Sequence, residues 1–176
     1  MNIDLIAKMK KTSSEFFNAY KEGDEKKDYS GRSLIFYSLS NHDLATRYEI
    51  SSFLLDKGVD VTGISPDEGS TVLHVLLNQR DHNLGETVEL CRRLIELGAD
   101  VSVLDERKIS IMQDVVNIPI HENDLGPLYD VLFAQPNLDF TSKNFRGFSP
   151  MDLAIKAGFR PKLIERMEEY ERRRNG

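Results

Sequence analysis

The chain has 176 residues, of which 40% are hydrophobic and one is cysteine, so we expect a single domain without an internal disulfide framework. Its formal net charge of −6 opposes attraction to nucleic acid or to an anionic membrane, because both require clustered cations. A basic protein is the partner that this charge favours. The N-terminal stretch has no long apolar run, so we expect no signal peptide and predict a cytoplasmic location.

Residues 1–27 predict an N-terminal cap. Thr12 and Glu15 have the spacing of a capping box, in which a hydroxyl and a carboxylate satisfy backbone donors at a helix start. Apolar residues follow at helical spacing from Phe16 to Tyr20, which indicates one capping helix. Gly23 and the charged residues after it predict the turn into the next unit.

From residue 28 the chain repeats itself with a period near 39. A small hydroxyl residue followed by two bulky residues occurs at Ser33, Thr71, Ser110 and Ser149. A Gly or Asn followed by apolar-Asp-apolar begins at positions 58, 98 and 137. A fixed period of this size means that each repeat is a unit whose apolar face only its neighbours can cover. The markers predict repeats at 28–63, 64–103, 104–142 and 143–176.

Each repeat is predicted to hold two helices. Gly58 and Gly98 stand where the second helix of a repeat must end, and glycine supplies the left-handed stop there. The third repeat has Pro136-Asn137 in that place, so the sequence does not decide the backbone conformation of this turn. Pro161 starts a last helix with a largely polar surface, which predicts a C-terminal cap.

Three segments resemble the ankyrin repeat: Thr71-Val72-Leu73-His74, Ser149-Pro150-Met151-Asp152 and Gly98-Ala99-Asp100. The resemblance covers about residues 28–170. It implies an all-α solenoid of about four helix-turn-helix repeats with capping helices at both ends. It also implies that His74 forms a hydrogen bond across the turn.

The repeats are longer than the usual ankyrin unit of about 33 residues. Counting between the markers places the additional residues between the two helices of each repeat, in loops near 41–44, 81–85 and 121–126. Loops on a rigid scaffold often bind partners. The structural interpretation is that Asp43, Asn83 and Asp124 act as N-caps of the second helices.

Three histidines, His42, His82 and His121, lie in these loops and suggest an alternative function, a metal-dependent enzyme. Helices pack about 8–10 Å apart, whereas ligand atoms lie about 2.0–2.1 Å from a zinc ion. One histidine per repeat therefore cannot form the site unless the loops fold together. The chain also lacks a phosphate-binding glycine loop, a His-Glu-x-x-His motif and a nucleophile elbow. We predict no catalytic residue, no cofactor and no metal ligand.

The resemblance implies protein binding through the turn tips and the exposed side of the first helices, which form a concave face. We therefore predict a non-catalytic protein–protein interaction module that binds one partner through the concave face, the inter-helix loops or both. We also predict a monomer rather than a homo-oligomer. A stand-alone inhibitor, such as an immunity protein that masks a basic toxin domain, is the narrower hypothesis. Tyr29 and Phe145 fit core packing as well as partner contact. The residues predicted to contact the partner are Tyr29, Arg32, Asp67, Glu68, Asn78, Gln79, His82, Glu106, Arg107, Asn117, His121, Lys143, Phe145 and Arg146.

Overall fold

The computed structural model describes residues 1–176, and all of its regular structure is helical. Short 3-10 turns lie at Asp24–Lys26 and Glu122–Asp124. None of the helices combines the length and the apolarity that crossing a membrane requires. The helices are α1 (Ile3–Met9), α2 (Ser13–Ala19), α3 (Leu34–Leu39), α4 (Leu44–Asp56), α5 (Val72–Leu77), α6 (Leu84–Glu96), α7 (Ile111–Asn117), α8 (Gly126–Phe133), α9 (Pro150–Ala157) and α10 (Pro161–Asn175).

The helices pack in two rows. The odd-numbered helices form an inner row in which α1 packs on α3, α3 on α5, α5 on α7 and α7 on α9. The even-numbered helices form an outer row in the same order. One core of 37 buried apolar side chains joins the two rows. No helix pair can cover its own apolar face, so each depends on its neighbours.

The N-terminal segment differs from the predicted single capping helix. It contains two helices, of which α1 extends the inner row and α2 the outer row. The predicted capping box is wrong, since the Thr12 side chain makes no cap hydrogen bond and Glu15 pairs with Lys10 instead, 2.6 Å from its ammonium nitrogen. The buried side chains of α1 are Ile6 and Ala7. Their burial stabilises the helix although charged residues interrupt the apolar segment.

The stops of the outer helices confirm the predicted left-handed turns. Gly58 has φ 77° and Gly98 has φ 106°. Asn137 takes the same role in the third repeat with φ 66°, which asparagine tolerates better than most residues because its short polar side chain can bond locally. The turn that the sequence left open therefore has the geometry of the other two.

Two of the three predicted N-caps are confirmed. The Asp43 carboxylate accepts a hydrogen bond from the Thr46 amide at 2.9 Å, and the Asn83 side chain accepts one from Glu86 at 3.3 Å. The prediction for Asp124 is wrong. This residue ends a 3-10 turn, and α8 starts after it without a side-chain cap. A proline in the first turn of α8 lowers the number of amides that need an acceptor.

Candidate functional site

The turns that precede the inner helices lie side by side and are joined through their backbones. The amide of Glu106 donates to the carbonyl of Glu68 at 3.0 Å, and the amide of Phe145 donates to the carbonyl of Arg107 at 2.9 Å. Main-chain atoms make these links. The side chains at the turn tips are therefore left available for other contacts.

Glycines allow close approach between turns at two positions, Gly31, where a Cβ atom would lie 2.8 Å from the Pro66 ring, and Gly69. Gly69 has φ 65°, and a Cβ atom there would lie 3.0 Å from the backbone nitrogen of Glu106. The first turn is joined to the second by a side-chain contact, in which the Arg32 guanidinium donates to the Asp67 carboxylate. Arg32, a predicted partner-contact residue, thus pairs within the protein.

His74 bridges two turns, as the motif resemblance implies. Its Nδ1 accepts from the Thr71 amide at 3.2 Å, and its Nε2 donates to the Ile109 carbonyl at 3.0 Å. Burial lowers the pKa of His74, and these two bonds require the neutral ring with its proton on Nε2. Gln113, three residues after the next marker, makes the equivalent bond to the Phe148 carbonyl at 3.1 Å. Both side chains therefore serve the stacking of the turns.

The turns and the exposed side of the inner helices line a groove of about 770 Å³. The groove is polar, with carboxylates from two turns and amides from the ends of two inner helices. It brings together nine of the fourteen predicted contact residues. These nine are Asp67, Glu68, Asn78, Gln79, Glu106, Arg107, Asn117, Phe145 and Arg146.

Three predicted contact residues on the turn side do not line the groove. Tyr29 is half-buried, its hydroxyl donates to the Asp24 carbonyl at 3.0 Å, and its ring meets that of Tyr37 edge-on. Tyr29 therefore belongs to internal packing, which answers the question that the sequence left open. Lys143 is exposed outside the groove. Arg32 is held by its contact with Asp67.

The two predicted contact histidines in the inter-helix loops have local structural partners. His82 Nε2 donates to the Gln79 carbonyl at 3.0 Å, and its Nδ1 lies 3.1 Å from the Thr87 hydroxyl. Burial lowers the pKa of His82, so the neutral ring is favoured. His121 is exposed and accepts from the Asn123 amide at 3.3 Å. No three His, Cys, Asp or Glu side chains converge in a way that could hold a metal ion.

A buried arginine, Arg47, ties two of these loops together. It is 1% exposed, and its Nε donates to the Asn41 carbonyl at 2.7 Å while Nη1 donates to the Asp81 carbonyl at 2.7 Å. Arg47 is not among the residues predicted from the sequence. Its place three residues after Leu44 and seven before Leu54 puts it on the apolar face of α4, and that spacing was the available signal.

Arg160 plays the corresponding role at the third loop. It is 2% exposed, and its guanidinium donates to the carbonyls of Val116, Ile118 and Ile120. The loop is therefore fixed to the start of α10. Together, the two arginines use their hydrogen-bonding capacity to fix the backbones of these loops to neighbouring repeats.

The groove has two electrostatic regions. Its lining carboxylates are Asp67, Glu68, Asp105, Glu106 and Asp114, and its lining cations are Arg107, Arg146 and Lys156. The cations gather around aromatic rings. Arg107 and Arg146 lie 5.9 and 5.2 Å from the ring centroid of Phe145, which is 57% exposed, and Lys156 lies 4.7 Å from that of Phe148. An acidic region therefore adjoins a cationic and aromatic end.

Asp114 is the groove residue whose pKa is raised. The side chain is 9% exposed, and burial together with the nearby Asp105 charge raises its pKa to about 8. The carboxyl is therefore mostly protonated at pH 7. Sequence reasoning missed Asp114, although the repeat markers supply a signal. The residue lies four positions after Ser110, where the flanking repeats have aliphatic residues.

Comparison with known proteins supplies a fold and no activity. No protein-family model matches the chain, and no curated protein matches it. Among solved structures, the chain is similar to a functionally unknown protein from Leptotrichia buccalis C-1013-b. The TM-score is 0.87 and the identity 26%, over 99% of this chain and 95% of that one. The likeness thus covers both rows of helices nearly from end to end.

Proposed function

We propose that this protein is a non-catalytic, ankyrin-like module that binds one protein partner in the groove. The observation that carries the proposal is that backbone atoms join the turns while several turn-side side chains stay free. Backbone atoms join the second turn to the third and the third to the fourth, while the side chains of Glu68, Glu106 and Asn78 line the groove without a side-chain hydrogen bond to the protein. Polar side chains that the fold does not use are available for a partner.

Several features support the ankyrin-like part of this proposal. The helix pairs pack in two rows, the outer helices α4, α6 and α8 end in left-handed residues, and His74 bridges successive turns. Each feature recurs at the period seen in the sequence. Repeat proteins of this kind present an extended concave face to their partners.

The charge of the groove favours a basic partner. The net charge of −6 and the four carboxylates that the turns contribute to the groove, Asp67, Glu68, Asp105 and Glu106, attract a positively charged surface and accelerate encounter. An inhibitor that masks a basic protein, such as an immunity protein bound to a toxin domain, is the narrower form of the proposal. Binding of such a partner weakens as salt rises, because salt screens exposed charges.

Photo-crosslinking from defined positions tests the proposed function. A photoreactive phenylalanine analogue replaces Asn78 in the groove, Glu89 on the outer row or His121 in a loop; all three positions are exposed. In native extract, we expect one specific partner to crosslink to position 78 and not to position 89. Adding the double change Phe145→Ala and Arg146→Ala is expected to reduce that crosslink.

The same experiment can reject the groove. A partner that crosslinks from position 121 or 89 and not from position 78 would place binding on the loops or on the outer row. Circular dichroism of each variant is the control, since all three substitutions lie at exposed positions and are expected to leave the helical signal unchanged.

A further inference from the structure

One residue of the groove breaks the pattern of the inner helices. Val75, Asp114 and Leu153 each lie four residues after the hydroxyl marker of their repeat, and all three line the groove. Helix α7 packs between α5 and α9, so a carboxyl group occupies the row between two aliphatic side chains. Burial of an ionisable group without a partner destabilises a fold. An aspartate at this aliphatic position therefore has a cost in stability, which points to a role other than packing.

The Asp114 carboxyl has no internal partner. Its oxygens form no hydrogen bond within the protein, although the residue is only 9% exposed. His74 of α5 has both ring nitrogens bonded elsewhere, and Asp105 of the preceding turn adds a like charge. Lys156 of α9 lies over the Phe148 ring, and Arg80 lines the adjoining pocket. None of these groups forms a salt bridge with the buried carboxyl.

The surroundings of Asp114 fit an ammonium group on an aliphatic stem. Asn78 and Asn117 line both the groove and the adjoining pocket that Asp114 shares. The Asn117 amide nitrogen donates to the Gln113 carbonyl at 3.0 Å, which leaves its side-chain oxygen as an acceptor, and Asn78 has no side-chain bond. One carboxylate and two amide oxygens match the three donors of a lysine ammonium.

We propose that Asp114 anchors a lysine side chain of the partner protein, with its stem between Val75 and Leu153 and its ammonium between Asp114 and the two asparagines. The inference rests on the proposed protein binding. A lysine within a protein fits better than a free amine, because the groove of about 770 Å³ continues past the anchor to the acidic turns on one side and to Phe145 on the other. These flanking regions are positioned to contact the polypeptide on either side of the lysine.

Protonation gives the proposal a distinctive signature. Burial and Asp105 raise the Asp114 pKa to about 8, so the free protein is mostly protonated there at pH 7. An ammonium in the site favours the ionised carboxylate, and binding at pH 7 therefore releases about one proton. Affinity is expected to rise as pH increases towards 8 and to level off above it.

Calorimetry with an acetylated, amidated hexalysine peptide tests this. Titrations of the intact protein at pH 7 in two buffers with different ionisation enthalpies count the released protons. We expect the wild type to bind and to release a proton, and Asp114→Asn to lose at least about tenfold in affinity, as for a lost charge-assisted hydrogen bond, together with the proton release. Glu106→Gln, a matched loss of one groove carboxylate, is expected to bind a few-fold more weakly and to keep the proton release.

The outcomes that overturn the proposal are specific. They are no binding by the wild type, equal affinity of the wild type and Asp114→Asn, or binding without proton release. Tighter binding of spermidine than of hexalysine would assign the site to a free polyamine, and tighter binding of hexaarginine would assign it to a guanidinium. Asp114→Leu, which restores the aliphatic pattern, is a second folded variant and is expected to behave like Asp114→Asn.

Failure of this inference is distinguishable from failure of the proposed function. If the same photoreactive analogue at Glu68, an exposed groove position outside the proposed anchor, crosslinks the partner with equal yield in the wild type and in Asp114→Asn, the groove binds a protein and the lysine anchor is wrong. If neither position 68 nor position 78 yields a crosslink in an otherwise wild-type chain, the proposed function fails, whereas the peptide titration still reports on Asp114.

Discussion

Neighbouring repeats are joined mainly by backbone atoms on the turn side, where the chain enters the inner helices. They are joined by arginine side chains on the loop side, where the chain passes from inner to outer helices. On the turn side, main-chain bonds such as the one from Glu106 to Glu68 join neighbouring repeats. On the loop side, the side chains of Arg47 and Arg160 reach the carbonyls of neighbouring loops. On the turn side, His74 and Gln113 also bond across the turns, but the backbone links leave turn-tip side chains such as Glu68 and Glu106 free.

This difference separates two surfaces that look equally suitable for binding in the sequence. Both are rich in polar residues at regular spacing, and both contain predicted contact residues. The groove residues Asn78 and Glu106 have no internal side-chain partner, whereas His82 has two. Exposure and polarity alone do not identify a binding surface, and the hydrogen bonds already made are the better guide.

The largest expected effect comes from breaking the loop side. Arg160→Leu removes the donors to the three carbonyls of Val116, Ile118 and Ile120. The Ile118 carbonyl keeps its bond from the Ile120 amide, so two carbonyls lose their partner. Because unsatisfied buried acceptors each cost about 1–3 kcal/mol, we expect the free energy of unfolding to fall by about 3 kcal/mol or more. Urea unfolding measures it.

Arg166→Leu is the control for that change. Arg166 contacts the Asp130 carboxylate at 2.7 Å, and both side chains are substantially exposed. Exposed ion pairs contribute about 0–1 kcal/mol. Similar unfolding midpoints for Arg160→Leu and Arg166→Leu would contradict the role assigned to Arg160.

The second effect is an increase in the free energy of unfolding, and it comes from a change in the groove. Asp114→Leu is expected to stabilise the protein by about 2 kcal/mol at pH 5, the range found for a buried polar group without a hydrogen bond, and by more at pH 8. The unfolded carboxyl ionises near its ordinary pKa of 3.8, whereas the folded one ionises at about 8. The folded protein therefore binds one more proton between these values, and this group destabilises the wild type progressively as pH rises from about 4 to 8.

Thermal or urea unfolding of both proteins at pH 5, 6.5 and 8 checks this prediction. The advantage of Asp114→Leu over the wild type is expected to grow with pH and to become constant above pH 8. Asp114→Asn separates charge from volume, since it removes the titration without adding apolar atoms. An advantage independent of pH would mean that the wild-type carboxyl ionises normally.

Local patterns predicted most of the fold and less of the site. The helix stops at Gly58 and Gly98 and the cap at Asp43 depend on residues within one turn of each other, so spacing was sufficient. The ties of Arg47 and Arg160 join residues 34 to 44 positions apart, beyond what a single repeat can indicate. Asp114 was accessible through the repeat alignment, but its lack of a partner depends on α5 and α9 together.

The third effect comes from Gly69, where the second and third turns approach closely. Gly69→Ala forces alanine into φ 65° and places its Cβ 3.0 Å from the Glu106 amide nitrogen, whereas a Cβ at Gly147, with φ 82°, has no atom within 4 Å. Both variants lose about 1 kcal/mol to the left-handed backbone. We expect Gly69→Ala to lose about 1 kcal/mol more, because its neighbour must also move. Equal unfolding free energies would mean that the turns tolerate separation.

The smallest effect is expected where the comparison predicts a free side chain. Phe145 is 57% exposed, and its backbone amide links to Arg107 whichever side chain it carries. Phe145→Ala should therefore change the free energy of unfolding by less than about 0.5 kcal/mol. His82→Ala, on the loop side, should cost about 1 kcal/mol or more through its two lost hydrogen bonds. Side-by-side urea titrations decide the matter. If the phenylalanine change is the more damaging, the ring is a structural element of the turn, and Phe145 is no longer a candidate for partner contact.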